Sequence, residues 1–170
     1  MRVDISGMSP QMAAAYWSLD HLGSDQLPQL GMDWLESGLD TYSLRILAGE
    51  TDPSLAETGP LFERALHELG VAIPDQVSAG WQIALWHAGR ILDEAITPHT
   101  GAASIWDEVS QFLDDDLISR FVGAASQYDD WTDADHLDWY GAERCEQTRQ
   151  MIDAEIRLLA QQLVKARKNL

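Results

Sequence analysis

Closely spaced carboxylates with a histidine among them can hold divalent cations, and aromatic rings set among carboxylates can dock proteins. The segment Gln127–Tyr140, QYDDWTDADHLDWY, has both. It places five Asp, one His, two Trp and two Tyr in fourteen positions. Read as a calcium loop starting at Asp133, it has Asp135 at the third position. It then puts Leu137 at the fifth, Asp138 at the sixth where Gly is needed, and Arg144 at the twelfth where a bidentate Glu belongs. Read as a di-iron half-site, Asp133 and His136 share a helix face, but the chain has no second Asp-x-x-His or Glu-x-x-His. His67-Glu68 supplies only the first two letters of HExxH. The ligand sets are incomplete, and no metal or other cofactor is expected.

The same residues suit the start of a helix. Thr132 and Asp135 form the T-x-x-D version of a capping box, and Asp133 and Asp138 lie in or near the first two turns. Arg157, Lys165, Arg167 and Lys168 crowd the other end of the same periodic stretch. Each such charge favours the helix macrodipole by roughly 0.3–1 kcal/mol when exposed. Capping nevertheless leaves a surplus. From Asp107 to Asp138 there are ten acidic residues against Arg120 alone, a net −9 out of the chain's −17. Interleaved with them are Trp106, Phe112, Phe121, Tyr128, Trp131, Trp139 and Tyr140. Trp131, between Asp130 and Thr132, is expected to be partly exposed and to anchor a partner. The partner-binding residues predicted on this basis are Asp114, Asp115, Asp116, Asp129, Asp130, Trp131, Asp133, Asp135 and Asp138.

The elements that must position these residues read as helices punctuated by Gly and Pro, with no alternating β-branched run. Ser9-Pro10 opens a helix that Gly23 is expected to stop. PQLGMDWLESG gives a second helix, weakened by Gly31 and closed by Gly38, and Asp40 or Thr41 caps TYSLRILAG. Thr58 to Gly70 holds a fourth helix. Pro74 to Thr97 reads as a central helix with Val77, Trp81, Ala84, Leu85, Ala88, Leu92 and Ala95 in one stripe and Ile83, Trp86 and Ile91 flanking it. Pro98 and Gly101 then break the chain before AASIWDEVSQFL, and Asp114 to Asp116 precede LISRFVGAASQY. A long helix from Asp133 to Lys168 carries Leu137, Gly141, Cys145, Thr148, Ile152, Ile156, Leu159 and Leu163 along one side. The expectation is an all-α, single-domain bundle of seven or eight helices.

Other chemistry finds little support. No Gly-rich phosphate loop and no G-x-S-x-G elbow occurs. Cys145 falls on an apolar stripe and reads as a buried, inert thiol, and one cysteine allows neither an internal disulfide nor a Cys-based zinc site. No catalytic residue is assigned. A net charge of −17 should repel nucleic acid backbones and anionic membranes and attract basic surfaces. The N-terminal MRVDISGMSP lacks the apolar segment of a secretory signal, so a cytoplasmic location is expected.

SLRILAG (43–49), FERALHELG (62–70), GAASIW (101–106) and FVGAASQYDD (121–130) resemble a group of small, acidic, helical bacterial proteins. The resemblance spans about Gly31 to Asp130 and implies an all-helical fold. No activity is assigned to that group, so none follows from it. The function expected from the residues is non-enzymatic binding of a basic protein, most concretely by an immunity- or antitoxin-type protein facing a cationic toxin. Two other readings stay open: an enzyme or small-ligand binder with a pocket near His87, and a scaffold that forms a homodimer through the C-terminal helix.

Overall fold

The computed structural model describes residues 3–132 and 139–167. Its eight described helices are α1 (Pro10–Ser18), α2 (Gln26–Glu36), α3 (Tyr42–Ala48), α4 (Leu55–Glu68), α5 (Gln76–Leu92), α6 (Pro98–Val109), α7 (Asp116–Asp130) and α8 (Ala142–Arg167). No strand occurs among the described residues, and no helix there is long and apolar enough to cross a membrane. The fold is all-α. By its internal contacts the chain divides into two compact units, Met1–Ala79 and Gly80–Leu170, and the division falls within α5.

In the first unit, Ser9 caps α1 by accepting the Met12 N–H at 3.2 Å, with Pro10 at the first helical position. The helix ends at Ser18, short of the expected Gly23. Asp20 takes a left-handed φ of 58°, and the Asp20 and His21 N–H groups return to the carbonyls of Trp17 and Tyr16. Gly38 and Gly70 close α2 and α4 in the same geometry, with φ of 91° and 72°, as expected. Thr41 caps α3, and Glu68 reaches back from α4 to accept the Ser43 N–H at 3.0 Å and its hydroxyl at 2.8 Å. These bonds hold the Glu68 carboxyl below its ordinary pKa. Gly31 is a point of close approach: a Cβ there would lie 3.1 Å from the Ala48 backbone nitrogen, so its absence lets α2 meet α3. Phe62 is fully buried between Trp17 and Trp34, with ring centroids 5.4 and 5.9 Å away.

The second unit is a run of antiparallel neighbours. Ile91 and His87 of α5 meet Gly101 and Glu108 of α6, His99 of α6 meets Asp129 of α7, and Arg120 of α7 reaches Glu155 and Gln162 of α8. Ile105, Ile118, Phe121, Ala125, Ile156 and Leu159 are buried with little or no exposure. The inward face of α5 differs from the expected stripe. Ala79, Ile83, Ala84, His87, Ala88 and Ile91 are buried, whereas Val77 and Ala95 are exposed and Trp81, Leu85 and Leu92 are half-buried. The indoles of Trp81 and Trp86 are capped by Arg167 and Arg90, at 3.6 and 4.5 Å from the ring centroids, which suits them to a boundary. α5 is also shorter than expected, because Glu94 at φ 56° ends it. Pro98 does not break the chain. Thr97 caps α6 by accepting the Thr100 N–H, Pro98 stands at its first position, and Gly101 lies inside the helix.

Candidate functional site

α7 fixes where the predicted acidic residues stand. Asp115 is its N-cap and accepts the Leu117 N–H at 2.8 Å, with Asp116 in the first turn and Asp114 exposed just before it. Asp129 and Asp130 form the last turn, followed by Trp131 as C-cap. At 1.5 Å rise per residue the two acidic groups lie about 22 Å apart, at opposite ends of one rod. Asp133, Asp135 and Asp138 lie outside the described residues, as do Leu137 and His136. Thr132 ends α7 by donating its hydroxyl to the Asp129 carbonyl at 2.7 Å. The helix expected to run unbroken from Asp133 has a break at Gly141, where φ is 80°, and α8 begins at Ala142. α8 still carries matched end charges, Glu143 in its first turn and Lys165 and Arg167 in its last.

Part of the acidic surplus is absorbed by the fold. Glu108 is buried against His87, Asp115 caps a helix, and Asp129 Oδ1 lies 2.9 Å from His99 Nε2. Asp107, Asp114, Asp116 and Asp130 are exposed, and no side-chain hydrogen bond or ion pair joins any of them to another described residue. Asp107 even stands in the last turn of α6, where the helix dipole disfavours a carboxylate.

The α7–α8 end combines the free Asp130 carboxylate with open aromatic surface, while Asp114 and Asp116 stand at the far end of α7. Trp131 is half-buried, its ring centroid lies 5.3 Å from that of Tyr140, and its carbonyl accepts from Arg149 Nη1 at 3.2 Å. Arg149 is held in turn by Glu146 at 2.6 Å. The open ring is Trp139, 85% exposed, beside Tyr140 at 48%. Trp131 is partly exposed as its sequence surroundings predict, and the neighbouring Trp139 is the more open ring. A groove of about 550 Å³ runs along Tyr140, Glu143, Arg144 and Gln147.

Beneath that end lies a group that the sequence did not signal. His99 stacks on Tyr128 with centroids 4.1 Å apart and planes 14° from parallel. Asp153 of α8 lies near His99, and its Oδ1 is buried without a hydrogen-bond partner. Burial raises the Asp153 pKa above the ordinary value, outweighing the opposing charges of Arg157 and His99. Burial, and then the Asp153 charge, also push the Tyr128 hydroxyl up. A carboxyl whose folded pKa is raised binds its proton more tightly folded than unfolded, so its contribution to stability declines as pH rises through that range. Asp153→Asn keeps the size of the side chain and removes the charge. It should stabilise the protein at pH 7 by on the order of 1 kcal/mol. The gain should vanish near pH 3, where wild type is protonated too; urea midpoints at the two pH values measure both.

His87 is packed rather than placed in a cleft. It is 3% exposed and 2.8 Å from Glu108, and neither the groove at Tyr140 nor a second one of about 480 Å³ at Asp20–Gln26 and Leu55 is lined by it. No cluster of three or more His, Cys, Asp or Glu that could hold a metal occurs among the described residues. Cys145, Ile152, Ile156, Leu159 and Leu163 are all buried, so this part of the α8 stripe is used within the fold, while Met151 and Leu158 of the same helix are exposed.

No protein-family model matches the chain, and neither a curated protein nor a solved structure matches it.

Proposed function

We propose that this chain is a non-enzymatic binding protein of the bacterial cytoplasm that engages a basic protein through the α7–α8 end. The observation that carries the reading is Trp139, 85% exposed next to Tyr140 and one helix end away from the free carboxylate of Asp130, in a chain of net charge −17. Exposing a large ring to water forgoes the favourable burial that such a side chain usually gains, and a partner that covers it recovers that gain. The surrounding negative charge steers a cationic partner and raises its on-rate. An immunity- or antitoxin-type role, in which carboxylates cover the phosphate-binding surface of a toxin, is the most concrete form.

The test is co-expression with the product of the adjoining reading frame. Wild type should restore growth and bind that product with an affinity that falls steeply with salt. Asp130→Lys combined with Trp139→Ala should weaken binding at least tenfold, as expected for a central aromatic anchor plus a steering charge. Unchanged affinity and unchanged salt dependence in this variant would overturn the reading.

A further inference from the structure

The aromatic rings of the second unit point to the chemistry of the partner, given the reading above on which this step rests. Arg90 lies over Trp86 at 4.5 Å, Arg167 over Trp81 at 3.6 Å, and Arg144 over Tyr140 at 5.3 Å from the ring centroid. Each of these three rings carries one of the chain's own guanidinium groups. Trp139 is the most exposed large hydrophobic side chain described, and no described arginine covers it. The adjoining Tyr140 lines a groove that also offers the Glu143 carboxylate, with Gln147 Nε2 3.4 Å from Glu143 Oε1, just after the acidic segment that ends at Asp138.

We infer that the α7–α8 end is an arginine-reading surface: a guanidinium of the partner stacks on Trp139 and is paired by Glu143, completing the pattern that Trp81, Trp86 and Tyr140 already show. Arginine fits better than lysine. Its planar cation stacks flat on an indole, sheds water more readily, and offers two parallel N–H groups to one carboxylate. Arg144 on Tyr140 is an internal copy of the same contact. It also sets a like charge beside the incoming one, so it tunes the site against weakly basic partners.

The experiment titrates the full chain with hexa-arginine and hexa-lysine peptides by calorimetry, at low salt and at 0.15 M. Hexa-arginine should bind about three- to fivefold more tightly than hexa-lysine, the range expected of one exposed cation–π contact. Trp139→Ala should erase the preference, Trp139→Phe should keep part of it, and Arg144→Ala should tighten both peptides. Trp139 is exposed, so these variants keep the fold, which circular dichroism checks. Equal affinity for the two peptides, or a preference that survives Trp139→Ala, would overturn arginine reading and leave an unselective acidic surface. Failure of both peptides to bind at low salt would overturn the underlying binding function as well.

Discussion

Glu108→Ala should lower the stability of the fold by about 1–3 kcal/mol, the usual effect of removing one partner of a buried hydrogen-bonded pair. His87 and Glu108 have side chains only 4% and 8% exposed, and they face each other at 2.8 Å between α5 and α6. Neither side chain can turn to solvent, so truncating Glu108 leaves the imidazole facing a cavity where its acceptor stood. A domain of ordinary stability, about 5–15 kcal/mol, would lose a large fraction of its margin. The paired substitution His87→Leu with Glu108→Leu provides the contrast. It removes both polar groups and should recover most of the loss, because apolar side chains of similar volume can replace a buried pair with little penalty. Urea unfolding of wild type, the single variant and the double variant measures the difference. A single variant within 1 kcal/mol of wild type would show that the pair is not a fixed feature of the core.

His87 also shows why the sequence was legible only in part. A histidine flanked by Trp86 and Arg90 reads as a satisfied core or boundary residue, and the structure buries it. The partner that draws His87 inward stands twenty-one positions away in another helix, where no local pattern reports it. Local signals were read where they exist. Ser9-Pro10, Gly38 and Gly70 do in the structure what their types require. Thr97-Pro98 has the same form as Ser9-Pro10 and could have been read the same way. The ends of α1 and α5 had no such signal, because Asp20 and Glu94 occupy the left-handed position usually given to glycine. At the candidate site, composition marked Asp129, Asp130 and Trp131. It could not show that Asp129 is engaged by His99 or that Trp139 is the ring left open, since both depend on how α6, α7 and α8 meet.

Phe62→Ala is expected to destabilise the first unit by about 3–5 kcal/mol, the range for emptying a buried aromatic site. Phe62 has no exposed surface, and it is wedged between Trp17, met edge-on, and Trp34, met nearly parallel. Both indoles are pinned from their far sides. Trp34 Nε1 donates to the Met8 carbonyl at 2.7 Å, and Trp17 Nε1 donates to Glu63 at 3.1 Å. Trp17 also rests on Gly59, where a Cβ would come within 3.2 Å of its ring. With their polar ends anchored, the two rings cannot close over the space left by the benzyl group, so the cavity term should be felt nearly in full. Phe62→Leu leaves a much smaller void and should cost roughly 1–2 kcal/mol. Denaturant midpoints rank the three proteins, and indole fluorescence reports whether Trp17 and Trp34 lose their shared neighbour. If Phe62→Ala were no worse than Phe62→Leu, the two indoles would have collapsed onto each other, and the aromatic cluster would not be the rigid centre of this unit.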